Sequence, residues 1–158
     1  MPVAIPFQPS IGRYKFNTVI NGREYLFRVY WNDRDQAPAI PGGPSSRGAW
    51  YFNVYDLGAD AGTQGSPGSS DAAQPTPIIF GVKIVRGTYL GRQSQHPLFT
   101  EGVMVARGLI PGDPSEADLD TIGTRVQVRY YTFAEMLNEI LTGCITEVAD
   151  QQTSGDSA

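Results

Sequence analysis

The residues of this chain with nucleophilic or metal-binding side chains are few and scattered. The single histidine, His96, lies in the polar stretch QSQHPLF, and the single cysteine is Cys144. A nucleophilic cysteine needs a neighbouring base, and nothing in the spacing ties the only histidine to this thiol. The sequence therefore predicts a surface loop histidine at position 96 and a packing cysteine at position 144.

A cluster of acidic residues offers a second possibility, either metal binding or acid catalysis. It consists of Asp113, Glu116, Asp118 and Asp120. An EF-hand loop closes with a glutamate at its twelfth position, which this spacing lacks, so calcium binding is not favoured. A hydrolase that uses these carboxylates is the least favoured of the functions considered for this chain. A solvated loop, or a loop that docks on a basic partner, is the interpretation the pattern favours, with one helical turn expected near Ser115.

Glycine-rich stretches raise the question of phosphate binding. PGGP at residues 41–44 and the tract after Gly58 lack both a strand–loop–helix context and a following lysine. Phosphate cradling is therefore not predicted. The sequence predicts no catalytic residue, no metal and no cofactor.

The elements that must position any site begin with residues 13–32, RYKFNTVINGREYLFRVYWN. The two arms alternate between apolar and polar residues, and Asn21-Gly22 suits a two-residue type I′ turn. A β-hairpin is therefore predicted. Its inward residues include Phe27, Val29 and Trp31, and truncation of Trp31 to alanine is expected to cost about 3–5 kcal/mol.

Further strands follow at regular intervals. They are predicted at residues 49–57, 76–85, 103–106 and 125–131, with a short edge strand near Val3. A short strand or a helical turn is expected at Tyr89 and Leu90, a bulge or bend at Gly81, and a loop over residues 94–102. Two long insertions, residues 35–48 and 58–75, are rich in turn-forming or low-complexity residues. After the last strand, Thr132 and Glu135 form a capping box that begins a helix over residues 133–142, with Gly143 in the C′ position. Its apolar stripe contains Phe133, Met136, Leu137, Ile140 and Leu141.

The fold class that follows is mainly β: a small antiparallel barrel or sandwich of about seven short strands with one C-terminal α-helix. We expect a single domain over residues 1–148, including both insertions, and a mobile acidic tail over residues 149–158.

Net charge, apolar runs and cysteine count limit the kinds of partner and compartment that suit this chain. The formal net charge is −4, which disfavours non-specific nucleic-acid binding. No apolar run approaches the ~20 residues that cross a bilayer, and the N-terminal MPVAIPFQPS resembles no secretory signal. One cysteine excludes an internal disulfide and favours a reducing compartment such as a cytoplasm.

Two aromatic faces remain to be explained. Alternation places Tyr25, Phe27, Trp31, Trp50 and Phe52 in the core. Tyr30, Tyr51 and Tyr55 fall on the opposite face, where tyrosines are typical of protein interfaces. No lysine or arginine follows Arg129, so the helix with Glu135 and Glu139 forms part of an acidic end that could dock on a basic partner. These five residues, Tyr30, Tyr51, Tyr55, Glu135 and Glu139, are the candidate interface residues; a module that binds carbohydrate through an aromatic face is the alternative.

An ordered set of motifs resembles a known family. The motifs are IPF at residues 5–7, YLFRVYWNDR at 25–34, WYFNVYD at 50–56, PIIFGVKIVRG at 77–87, DLDTIG at 118–123 and RVQVRYY at 125–131. In this order and spacing they are similar to the small bacteriophage tail proteins grouped with the plug of a cyanophage contractile-tail baseplate. The two insertions and the acidic C-terminus extend beyond the resemblance.

The resemblance implies a structural, non-enzymatic virion protein, made in the host bacterial cytoplasm and built into the tail baseplate. It would sit near the axis, between the tail tube and the central hub or spike, and stabilise the assembly. Implied partners are the tube, the hub or spike and the C-terminus of the tape-measure protein. A homo-oligomer of threefold or sixfold symmetry is expected, with no role for nucleic acid or membrane.

Overall fold

The computed structural model of the chain describes residues 2–36, 47–58, 75–113 and 115–140. Most of both predicted insertions, Cys144, Gly143 and the predicted tail lie outside these residues. The described strands are β1 (Val3–Ala4), β2 (Arg13–Ile20), β3 (Arg23–Gln36), β4 (Arg47–Gly58), β5 (Thr76–Lys83), β6 (Tyr89–Leu90), β7 (Gly102–Gly108) and β8 (Val126–Thr132). The helices are α1 (Pro97–Thr100) and α2, residues 133–140.

The β2–β3 hairpin forms as the alternation and turn chemistry predict. Register runs without a break from Arg13 opposite Tyr30 to Ile20 opposite Arg23. At the tip, Asn21 and Gly22 have φ of 51° and 75°, the positive values that a type I′ turn requires.

Two four-stranded antiparallel sheets make up the fold. We call β2-β3-β4-β5 the hairpin sheet and β1-β8-β7-β6 the terminal sheet. After β5, Ile84 still donates to the carbonyl of Trp50, and Arg86 then bridges Ala106 of β7, so the chain crosses from one sheet to the other here. The predicted mainly antiparallel β class is confirmed, and the two separate sheets correspond to the sandwich alternative rather than to a closed barrel.

One hydrophobic core lies between the sheets. The hairpin sheet contributes Phe27, Trp50 and Phe52, all fully buried, and the terminal sheet contributes Met104 and Val128. Phe7 packs edge-on against Phe27 and Phe52, which ties the N-terminal segment to this core. The faces of β3, β4 and β8 that alternation predicts to be inward are buried at most positions. Trp31, predicted to lie in the core, is only partly buried, and Leu26 and Tyr131 are buried on the opposite faces.

A bulge in β5 occurs where glycine interrupts the strand. Val82 pairs with Phe52 and Ile79 with Val54, so three steps along β5 oppose two along β4. Gly81 has φ of 63° and its amide donates to Asn53 Oδ1 at 2.8 Å. The glycine is needed because a side chain rarely adopts this backbone conformation.

Two local expectations are wrong. The predicted loop over residues 94–102 contains the short helix α1, whose Pro97 occupies the first turn, a position that proline favours. No helical turn begins at Ser115; instead Asp113 Oδ1 accepts from the amide and the hydroxyl of Ser115. Such side-chain bonds to nearby backbone compete with helix formation.

The capping box of α2 is present. The Thr132 amide donates to the Glu135 carboxylate at 2.9 Å, and the Glu135 amide donates to the Thr132 hydroxyl at 3.3 Å. The apolar stripe of this helix is not covered, since Phe133, Leu137 and Ile140 are 43%, 57% and 50% exposed. Leu141 lies outside the described residues.

Candidate functional site

The outer face of the hairpin sheet collects the three candidate tyrosines. The Tyr30 and Tyr51 rings stack with centroids 5.6 Å apart and planes within 13°. The Tyr51 hydroxyl donates to the Asp35 carboxylate, and Lys83 Nζ lies 2.9 Å from the same group. The bond to Asp35 raises the pKa of Tyr51 to about 12, while Lys83, followed by Tyr51, lowers the pKa of Asp35.

Tyr55 lies in a second aromatic group further along the same face. The Arg28 guanidinium sits 4.8 Å from the centre of its ring, a cation–π distance. Phe80, brought to this face by the β5 bulge, packs edge-on against Tyr55 and is 58% exposed. The face is therefore aromatic and amphipathic, as surfaces that bind proteins often are.

A shallow groove of about 520 Å³ runs across this face beside the tyrosines. Its lining residues are Arg13, Tyr14, Lys15, Arg28, Val29, Tyr30 and Asn53. Its described lining residues include three cationic side chains and no carboxylate, although the whole chain has a net charge of −4. We call it the cationic groove.

The two candidate glutamates lie elsewhere. Glu135 closes the capping box, and the Glu139 carboxylate pairs with Arg107 of β7. The Arg107 guanidinium also lies 5.1 Å from the ring centre of Tyr131, so it joins α2 to the terminal sheet. The structure thus groups Tyr30, Tyr51 and Tyr55 on one sheet and places both glutamates beside the other.

His96 belongs to a cluster that the sequence interpretation missed. Its Nε2 lies 3.1 Å from Asp56 Oδ2, and Arg23 Nε donates to Asp56 Oδ1 at 2.8 Å. Arg23 comes from the hairpin, Asp56 from β4, and His96 from the N-cap of α1 beside the terminal sheet. The prediction of a surface loop histidine is wrong, because this partly buried ring ties the two sheets together.

Asp56 is the single buried charged residue among those described. Burial by itself would raise its pKa, but hydrogen bonds from Arg23, the Gly58 amide and His96 outweigh it, so the pKa lies below the ordinary value. A signal was available in the sequence: alternation with Trp50, Phe52 and Val54 places Asp56 on the inward face of β4.

The cluster resembles part of a catalytic triad, but its bonding argues for a structural role. His96 Nδ1 accepts from the Leu98 amide at 3.2 Å, so Nε2 must carry the proton that is donated to Asp56. Both ring nitrogens are therefore engaged, whereas a general base needs one nitrogen free to take a proton.

The carboxylates of the acidic loop structure the loop instead of converging on a point. Asp113 accepts from Ser115, whose hydrogen bonds lower the pKa of that carboxyl, and Asp120 Oδ1 accepts from Ser10 at 2.8 Å. The Asp118 carbonyl accepts from Trp50 Nε1 at 2.9 Å. Within the ranges that the structure describes, no three His, Cys, Asp or Glu side chains gather as metal ligands.

Comparison with known proteins shows which family the chain belongs to. Residues 3–134 match the family described as the cyanophage baseplate Pam3 plug gp18, which covers both sheets and the start of α2. The chain belongs to this baseplate plug family. Family membership makes it a structural component of the phage virion baseplate, in contact with other tail proteins.

The match ends just inside α2, so the rest of that helix and residues 141–158 extend beyond the plug family pattern. No curated protein and no solved structure matches the chain significantly. In the described part of the chain, neither helix has the length and apolar character that a membrane span needs.

Proposed function

We propose that this plug-family protein is a non-enzymatic component near the axis of a contractile tail baseplate, at the junction of the tail tube and the central hub or spike, where it stabilises the assembly. The single observation that carries the proposal is the family match over residues 3–134. The protein is made in the host cytoplasm and acts as one domain, residues 1–148, followed by the acidic residues 149–158. Its neighbours are the tube, the hub or spike and the end of the tape-measure protein.

Assembly uses a homo-oligomer of threefold or sixfold symmetry. The proposed contact residues are Tyr30, Tyr51 and Tyr55 on the hairpin sheet, together with Glu135 and Glu139 on α2. Support comes from the exposed aromatic patch formed by Tyr55, Arg28 and Phe80, since aromatic residues and arginine are enriched at protein interfaces. The carbohydrate-binding alternative gains no support from the inward aromatics, because Phe27, Trp50 and Phe52 are fully buried.

Electron microscopy of the phage particle tests the proposal. We expect a ring of this chain on the particle axis where the tube meets the hub, and its loss, with incomplete baseplates, when the gene is deleted. Full infectivity of particles without the chain, or density for it away from the axis, would contradict the proposed position. A measurable hydrolase or sugar-binding activity lost on mutation of Asp113 or Tyr55 would contradict the non-enzymatic, structural role.

A further inference from the structure

We propose that the cationic groove receives the acidic C-terminal segment, residues 141–158, of a second copy of this chain, so that copies join head to tail. The inference rests on the proposed oligomeric function and specifies the surfaces that make the ring. It follows from three observations: charges left unpaired in the groove, a cross-strand repulsion, and the composition of the segment.

The cations of the groove have no acidic partner within the described structure. Arg13, Lys15 and Arg28 form no ion pair with any described residue; the contact made by Arg28 is with the Tyr55 ring. The acids at the two ends of the face are already engaged. Glu24 accepts from Asn17 at 2.8 Å, and Asp35 binds Lys83.

The register of the hairpin makes this arrangement unfavourable for the isolated chain. Lys15 lies directly opposite Arg28 across the β2–β3 ladder. Like charges at directly opposed positions destabilise a sheet. Unfavourable local arrangements of this kind are expected mainly at functional sites. Here a bound ligand of opposite charge would relieve the repulsion between Lys15 and Arg28. The ligand that fits here is an anion.

The C-terminal segment has the composition of a suitable anion. Its sequence, LTGCITEVADQQTSGDSA, carries Glu147, Asp150 and Asp156 and no lysine or arginine. Three carboxylates thus match three unpaired cations, and the Ile145 and Val148 side chains offer apolar contacts to the neighbouring tyrosines. A free polyanion such as DNA is less suited, because the protein as a whole carries a net negative charge.

Topology favours a contact between copies. The segment follows α2, which continues from β8 of the terminal sheet, whereas the groove lies on the outer face of the hairpin sheet. A contact between two different surfaces of identical chains is heterologous, and it generates a ring when the rotation closes. This is the symmetry class that a threefold or sixfold component requires.

Two charge-reversed variants of the full chain test the inference by mixing. The receiver variant, Lys15→Glu with Arg28→Glu, keeps the segment but reverses the groove. The donor variant, Glu147→Lys with Asp150→Lys, keeps the groove but reverses the segment. We expect each variant alone to self-associate at least about tenfold more weakly than wild type, as measured by mass photometry, because the Coulomb attraction has become repulsion.

An equimolar mixture of the two variants should restore association, because the intact segment of the receiver variant fits the intact groove of the donor variant and the two reversed surfaces are also complementary in charge. A chain that carries all four substitutions should recover the wild-type oligomer. Arg34→Glu combined with Arg92→Glu is the matched control: it makes the same charge change at exposed positions outside the groove lining and should leave association unchanged.

If the wild-type protein is monomeric at the concentrations used, a second measurement tests the same contact. A fluorescent peptide of residues 141–158 should bind the donor variant, whose groove is intact, and should bind at least about tenfold more weakly to the receiver variant or at high salt. The absence of peptide binding, together with wild-type association of both variants, would overturn the inference.

Two other outcomes would also overturn the inference. If the mixture stays monomeric while the fourfold variant recovers the wild-type state, the segment lies in the groove of its own chain. The second outcome is tight binding of duplex DNA by the groove. The proposed function fails separately. A head-to-tail oligomer that is absent from the baseplate contradicts the function alone, whereas a baseplate ring with other contact faces contradicts this inference alone.

Discussion

Asp56 shows how a single buried charge can be stabilised in a small β-sandwich. An unpaired carboxylate inside a protein is strongly unfavourable, but here Arg23, the Gly58 amide and His96 surround it with donors. The two sheets meet at this residue, since Arg23 belongs to the hairpin and His96 caps α1 next to the terminal sheet. The carboxylate therefore contributes to both stability and sheet alignment.

Replacement of Asp56 by asparagine should lower the free energy of unfolding by about 1–3 kcal/mol at neutral pH, because hydrogen bonds to a charged group are lost. The pKa of Asp56 is lower in the folded chain than in the unfolded one, so its contribution is present above the unfolded pKa of about 3.9 and is lost as pH falls through the folded pKa. Urea unfolding of both proteins from about pH 3 to pH 7 should show the gap closing on the acid side. Asp33→Asn, the same change at an exposed position of β3, serves as control and should leave the free energy of unfolding at neutral pH nearly unchanged.

The two tryptophans of the core differ in importance. Trp50 is fully buried and its Nε1 donates to the Asp118 carbonyl, whereas Trp31 is only partly buried and packs edge-on against Trp50. We therefore expect Trp50→Ala to cost about 3–5 kcal/mol and Trp31→Ala to cost less, which moves the largest loss away from the position favoured by sequence alone. Chemical denaturation of the two variants measures the order, and an equal or larger loss at Trp31 would contradict it.

At the scale of elements, the hairpin depends on its tip. Gly22 has φ of 75°, and a Cβ added there would meet no atom within 4 Å, so any cost of Gly22→Ala comes from the backbone conformation alone. Left-handed conformation costs an alanine roughly 1–2 kcal/mol. Gly12→Ala is a matched control, since its added Cβ is equally free and its φ is not in the left-handed region. Thermal unfolding should separate the two variants by that amount, and similar melting temperatures would contradict the role of the turn.

At the scale of the whole molecule, monomer stability and assembly are expected to oppose each other at the groove. Lys15→Glu should replace the repulsion across from Arg28 with an ion pair, and so should stabilise the monomer by about 0.2–1 kcal/mol. The same change adds a carboxylate where the acidic segment of the next copy is proposed to bind, so self-association should weaken. Denaturation and sedimentation measured on one preparation test both effects. Arg34→Glu should change neither, and a variant that loses stability without losing association would contradict the argument.

Much of the architecture was predictable because it depends on local rules. The strand alternation, the Asn21-Gly22 turn, the Gly81 bulge and the Thr132–Glu135 capping box each involve neighbours in sequence or one ladder, and each is found where the pattern predicts it. The ordered motifs also indicated the baseplate plug family, which the match over residues 3–134 confirms.

Contacts between residues far apart in the chain depend on the tertiary structure and are not encoded in local patterns. Asp56 and His96 are 40 residues apart, and the Trp50–Asp118 bond spans 68. No periodicity encodes such pairs, since they depend on how the two sheets stack. The groove depends on both sequence alternation and tertiary structure. Alternation along the hairpin puts Arg13, Lys15 and Arg28 at outward positions. The register then sets Lys15 opposite Arg28, and no acidic side chain of the described chain lies beside them. His96 and the acidic loop, whose residue types suggested chemistry, thus stabilise the fold, because their polar atoms are bonded within it.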